Sequence, residues 1–209
     1  DTPFGQSPKT WYSRPIMKRL LGLLASLSLM SCTPELNWRI HREPDTNWQV
    51  AFPAKPVSVK RTLALTDPPN ATIELQLWAA NVNEVRYTIG YARWVGKPPD
   101  HAKQEQLAKT LESAMLNNIS AHQKAFAQAP DLASSNGARP SDSDVTARPL
   151  LKAVGTILLN PKQGPVEAQL WMQTHIRSGD VIEAIVLGPT ESFSQEAAEQ
   201  FLSSFRPRL

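Results

Sequence analysis

The stretch V-E-A-Q-L-W-M-Q-T-H-I-R-S-G-D-V-I-E-A-I-V-L, residues 166–187, decides the fold. Apolar and polar side chains alternate through its first half, with Leu170 and Met172 on one side, which is the period of a β-strand. Ser178-Gly179 is typical of a two-residue turn, and the apolar residues after it predict a second strand that pairs back. The stretch therefore predicts a long antiparallel hairpin.

The same alternation predicts further strands on the amino-terminal side of this hairpin. They fall at residues 48–52, 57–65, 73–77, 85–91 and 153–159. Where the pattern is clearest, one side of the strand is apolar and the other polar, which favours an antiparallel sheet with one buried face. We therefore expect a sheet of about six to seven strands.

Two amphipathic helices complete the predicted α+β fold. Asp100, after two prolines, and Ser194 are typical helix N-cap residues. Apolar residues recur at helical spacing after each cap. They are Leu107, Leu111, Ala114, Met115 and Ile119 in the first helix, and Ala197, Ala198, Phe201, Leu202 and Phe205 in the second. Both helices are expected to pack on the sheet.

A five-residue pattern occurs twice, as E-L-Q-L-W at 74–78 and E-A-Q-L-W at 167–171. The first glutamate lies 26 residues before Asp100 and the second lies 27 residues before Ser194. One interpretation is a duplicated hairpin-plus-helix unit with pseudo-symmetry. The other is that the pattern simply suits a strand with one apolar side.

Trp78 and Trp171 end these two copies, and each follows a leucine of the apolar side. Their side chains therefore point to the opposite face of the sheet. Either helices cover both faces, or each tryptophan packs at a sheet edge, or the two form an exposed aromatic surface that binds a partner, a glycan or a lipid. The sequence leaves these alternatives open.

The amino-terminal part contains the stretch M-K-R-L-L-G-L-L-A-S-L-S-L-M-S-C, residues 17–32. Two positive charges, an apolar middle and the small residue Ser31 before the only cysteine are typical of a secretory signal peptide. The apolar run is shorter than the roughly 20 residues of a membrane span. Its end, Leu29-Met30-Ser31-Cys32, resembles the lipobox of bacterial lipoproteins.

The lipobox resemblance implies cleavage between Ser31 and Cys32 and a covalent lipid on Cys32. Thr33, where an aspartate would imply the inner membrane, implies the outer membrane with the protein facing the periplasm. We expect residues 1–16 to be absent from the mature protein and residues 17–31 to be the signal peptide. Residues 32–47 are then the lipidated cysteine and a tether.

A single domain is expected at 48–209, with a flexible loop at 127–149, where alanine, serine, aspartate and proline are common and no period is visible. The chain carries 22 basic and 19 acidic residues. Without residues 1–31 the two counts are equal, so the charge does not indicate a nucleic-acid partner.

Short motifs also connect the predicted domain to known proteins. F-P-x-x-P at 52–56 and F-L-x-S-F at 201–205 resemble motifs of small exported bacterial α+β domains. W-Q-V-A-F-P at 48–53 extends the first motif, and the architecture is similar to that of PsbP-type domains of photosystem II. The resemblance implies the fold and carries no functional residues.

Residues for catalysis, a metal or a cofactor are not predicted. The four histidines are far apart, and His175 is expected to be a solvated residue of the long hairpin. The chain lacks H-E-x-x-H, G-x-S-x-G and S-x-x-K motifs. The prediction is a non-enzymatic, membrane-anchored lipoprotein that binds or supports a cell-envelope partner. The alternative is a periplasmic small-ligand-binding module or an enzyme with a pocket between sheet and helices.

Overall fold

The computed structural model describes residues 36–46, 48–65, 72–97, 99–120, 145–162, 164–177 and 179–207. These belong to one unit, Leu36–Leu209. The predicted extension, signal peptide and Cys32 lie outside the described residues, as does most of the predicted loop. The described elements are β1 (Arg39–Glu43), β2 (Trp48–Phe52), β3 (Val57–Ala64), β4 (Thr72–Val82), β5 (Val85–Trp94), α1 (His101–Asn118), β6 (Val145–Ala147), β7 (Leu151–Ile157), β8 (Val166–Arg177), β9 (Asp180–Pro189), α2 (Gln195–Ser204) and β10 (Arg206–Pro207).

Seven of these strands form a large antiparallel sheet in the order β3-β4-β5-β9-β8-β6, with β7 also paired to β8. β8 and β9 are the predicted hairpin: Arg177 pairs with Asp180 across a two-residue turn, in which Gly179 has a φ of 97°. Strands β6 and β7 share one edge of β8, and between them residues 148–150 oppose only residues 173 and 174. Three residues opposite two form a bulge, and Pro149 lies within this bulged segment.

The large sheet is covered on both faces, which the sequence analysis did not assume. On one face, here the α1 face, Ile73, Ala92 and Val181 pack with Leu107 of α1. On the other, the α2 face, apolar residues pack against α2 and a second, three-stranded sheet in the order β1-β2-β10. Because the central strands have apolar neighbours on both sides, β9 is buried along almost its whole length.

The structure confirms both predicted helix starts. The Asp100 carboxylate accepts a hydrogen bond from the Lys103 amide at 2.9 Å, and the Ser194 hydroxyl accepts one from the Ala197 amide at 3.2 Å. All five apolar residues predicted for α2 are buried. In the first helix the predicted apolar face is correct only in part, because Ala114 is exposed.

Two predicted boundaries are wrong. The predicted tether at 32–47 includes β1, which pairs with β2 over its full length, so an ordered strand precedes the predicted domain start. The predicted loop at 127–149 includes β6, which pairs with β8. Both strands are short, and β1 is largely polar. Their order comes from pairing with a neighbouring strand, which a local sequence pattern does not reveal.

The structure does not show the predicted duplication. Trp78 on β4 and Trp171 on β8 do lie on the same face, on either side of the central β5–β9 pair. The helices that follow the two hairpins, however, pack on opposite faces of the sheet. A repeat of the whole hairpin-plus-helix unit is therefore not seen.

Close packing between β9 and β5 leads to a testable prediction. A Cβ atom at Gly188 would lie 2.7 Å from Val85 Cγ2 and 2.9 Å from Val85 Cα. Because the backbone of Val85 has to move, we expect Gly188→Ala to lower the free energy of unfolding by about 1–3 kcal/mol, measured by urea denaturation.

Gly90→Ala is the matched control. A Cβ at Gly90 would lie 3.4 Å from the mobile end of the Leu77 side chain, which is an ordinary contact. We expect a change of less than about 1 kcal/mol, because volume changes are tolerated where neighbours can adjust. Equal destabilisation by the two substitutions would contradict the packing described for β5 and β9.

Candidate partner-binding surface

The edge strand β3 leaves an apolar surface open to solvent. Every residue of β3 is exposed, although its alternation is that of a strand with one buried side. Val57, Val59 and Leu63 lie on the α1 face and are 71%, 51% and 38% exposed, and Leu77 of β4 beside them is 37% exposed. We call these four residues the edge face.

The edge face is open because α1 lies over the middle of the sheet and one end of β4. Ile73, near the start of β4, is buried in the same cluster as Leu107 of α1. Leu77, four residues further along the same face, is the cross-strand neighbour of Gly90, which has no side chain to cover it. The sheet therefore extends beyond its helical layer.

Charge is distributed differently on the two sides of β3. On the α2 side, Lys60 forms an ion pair with Glu74 at 2.9 Å. On the α1 side, Arg61 stands opposite Leu75 in the ladder, and no ion pair to it exists within the part of the chain that the structure describes. The edge face thus surrounds a positive charge that has no acidic partner among the described residues.

A polar cluster lies between α1 and the edge of the sheet far from β3, still on the α1 face. The Arg148 guanidinium, at the bulge between β6 and β7, donates to both oxygens of Glu112 at 2.9 and 3.1 Å and to Glu105. The Thr174 hydroxyl donates to Glu112 at 2.8 Å. Arg148 therefore ties α1 to the edge of the sheet through bidentate, charge-assisted bonds.

Glu183 of β9 lies beside this cluster as a cross-strand neighbour of Thr174. Its side chain is buried, and its Oε1 has no hydrogen-bond partner among the described residues. Burial, and then the charge of Glu112, raise the pKa of Glu183 to about 8. The carboxyl group is therefore mainly protonated at neutral pH.

His175 is not the solvated residue that the sequence analysis expects. It is buried on the α2 face with its ring 4.6 Å from the ring of Phe205. Burial lowers the pKa of His175 to about 4, so the side chain is neutral at physiological pH. The expectation fails because α2 and the small sheet cover a face that appears polar in the pattern of β8 alone.

Trp78 and Trp171 are both buried in the core of the α2 face. The ring of Trp78 is 4.8 Å from that of Trp48 in the small sheet, and the ring of Trp171 is 5.5 Å from that of Phe193. Of the three alternatives for these residues, the structure shows the covered face. Neither tryptophan presents an aromatic surface to a partner.

An open depression of about 430 Å³ lies along α1. Its lining residues lie on the helix side that faces away from the sheet; they are Gln106, Lys109, Thr110, Ser113, Ala114 and Asn117. It is therefore not the pocket between sheet and helices that the alternative function requires.

The described ranges contain no group of three or more histidine, cysteine, aspartate or glutamate residues that could hold a metal ion.

Sequence reasoning missed both Glu183 and the exposure of β3. Two signals were present: an arginine within the apolar side of β3, and a glutamate within the apolar run of β9. Each breaks its local pattern, which is a frequent sign of a special environment.

No protein-family model, curated protein or solved structure matches the chain. Among the described helices, none is both long and apolar enough to cross a membrane.

The environment of Glu183 gives a pH-dependent prediction. Its folded-state pKa of about 8 lies above the ordinary value of 4.5, so the folded protein binds an extra proton between these pH values. The free energy of unfolding therefore falls as pH rises from 4.5 to about 8, by up to about 1.4 kcal/mol per unit. Glu183→Gln does not titrate, so its stability relative to the natural protein should grow across this range.

Thermal or urea unfolding at pH 5, 6, 7 and 8 measures this difference. Glu199→Gln is the control, because Glu199 is an exposed residue of α2 and the same substitution there changes no buried carboxyl group. A Glu183→Gln difference that stays constant with pH would contradict the protonated, buried carboxyl group.

Proposed function

We propose that the protein is a non-enzymatic, lipid-anchored component of the bacterial cell envelope that binds a partner protein through the edge face. In this proposal Cys32 carries the lipid, and the domain faces the periplasm from the outer membrane. The observation that carries the proposal is the edge face itself, an apolar surface at the open end of an otherwise covered sheet.

The physical argument starts from the cost of exposed apolar surface. Val57 and Val59 are more than half exposed, and Leu63 and Leu77 lie beside them on the same face. Scattered exposed apolar residues are normal, but a contiguous group of them favours a protein-binding site. β-branched residues on a sheet surface also lose little side-chain freedom when a partner packs on them.

The anchor argument comes from the amino-terminal sequence. Residues 17–32 have the charge, length and terminal Ser31-Cys32 of a lipoprotein signal, and the described unit begins at Leu36. Several acyl chains hold a protein stably at a membrane, whereas one chain binds only marginally. A short connection to the lipid supports a partner that is also at the membrane surface.

Site-specific photo-cross-linking in the producing cells tests the partner-binding proposal. A benzophenone side chain at Val59 lies on the edge face, and the same side chain at Thr62 lies on the other side of β3. Both positions are exposed. We expect one discrete cross-linked product from Val59 and none from Thr62. No product from Val59, or equal products from both positions, would contradict a partner at the edge face.

Intact-mass analysis of membrane-extracted protein tests the anchor. We expect a mature chain that begins at Cys32 and carries the added mass of acyl chains, and we expect Cys32→Ala to remain unmodified and uncleaved. An unmodified natural chain that retains residues 17–31 would overturn this part of the proposal.

A further inference from the structure

Strand β3 has an open backbone edge in addition to its apolar side. β3 pairs with β4 through the register from Val57↔Ala79 to Ala64↔Thr72, and no other described strand pairs with it. On its outer edge the amide and carbonyl groups of every second residue therefore have no ladder partner among the described strands. An extended segment of another protein can add to such an edge through main-chain hydrogen bonds.

The side chains on β3 indicate what such a segment must carry. On the α1 face the order is Val59, Arg61, Leu63, at alternate positions of the strand. Residues directly opposite each other in an antiparallel pair have Cβ atoms about 5 Å apart and interact. A segment with an acidic residue opposite Arg61 and apolar residues two positions away on both sides therefore matches this edge in charge and apolar contact.

A second copy of the chain is a poorer match. Lys60 and Arg61 lie at the middle of the eight-residue strand. Antiparallel pairing of β3 with its own copy around this centre places either Lys60 opposite Lys60 or Arg61 opposite Arg61 of the second copy, which is destabilising. Positive charges on an edge strand are also a known means of preventing self-association. Charge complementarity therefore favours a different, acidic partner.

We propose that the partner binds by adding an extended segment of the pattern apolar-x-acidic-x-apolar to the outer edge of β3, with the acidic side chain opposite Arg61. The inference rests on the proposed function and names the chemistry of its partner. Main-chain hydrogen bonds supply the alignment, the edge face supplies apolar contact, and Arg61 supplies the charge preference.

Fluorescence anisotropy with the full-length protein and two nine-residue peptides tests the charge preference. In both peptides threonine alternates with valine, and the central residue on the valine side is glutamate in one and lysine in the other. We expect the glutamate peptide to bind about five- to ten-fold more tightly, from one attractive and one repulsive cross-strand pair.

Charge-reversal variants locate this preference on one face. Arg61→Glu should reverse the order of the two peptides. Lys60→Glu is the matched control, because it changes the net charge equally on the other side of the same strand. It replaces the exposed ion pair with Glu74 by a like-charge contact, and such surface interactions contribute little to stability. It should leave the order unchanged. Failure of the glutamate peptide to bind, equal binding of the two peptides, or the same effect from both variants would overturn the inference.

Peptide N-methylation distinguishes strand addition from packing on the sheet surface. Alternate amides of an added strand point toward β3, and the intervening ones point away. Methylation of one alternate set should abolish binding, and methylation of the other should be tolerated. Equal effects from the two sets would overturn strand addition.

The two proposals can fail separately. If the Val59 cross-link forms but the peptide tests fail, only this inference is wrong. If the cross-link is absent, the proposed function is wrong.

Discussion

The pairing of β5 with β9 is the constraint on which the rest of the structure depends. Its register, from Arg86↔Leu187 to Arg93↔Asp180, joins a hairpin near the start of the domain to one near its end. Small isolated sheets are marginally stable, so each hairpin needs the other to bury its apolar faces. Because this seam is at the centre, β5 and β9 are largely buried on both sides, and the remaining strands extend outward to β3 and β6.

Features that depend on neighbouring residues could be predicted from the sequence. The turn between Arg177 and Asp180 and the caps at Asp100 and Ser194 involve contacts within four residues of the chain. A local pattern contains all the information for such contacts. The α+β class and six of the seven strands of the large sheet follow from the same patterns, applied strand by strand. The seventh, β6, was not predicted, and the predicted strand at 48–52 belongs to the small sheet.

Features that depend on distant pairing could not be predicted. β1 and β10 become strands only because both pair with β2, and the resulting small sheet packs against Trp78 through Trp48. The candidate surface also combines a feature that the sequence shows with one that depends on distant pairing. The alternation of β3, including Arg61 on its apolar side, is visible in the sequence, but the exposure of that side follows from the position of β3 at the end of the sheet.

The register of β1 against β2 also determines how the domain responds to mechanical force. Arg39, the first residue of β1, pairs with Phe52, the last residue of β2, so the point where the chain enters β1 lies beside the point where it leaves β2 toward β3. A pull between residue 36 and a load on β3 therefore breaks the β1–β2 hydrogen bonds one after another. Each residue released adds about 3.3 Å of length. We therefore expect β1 to yield before the large sheet does.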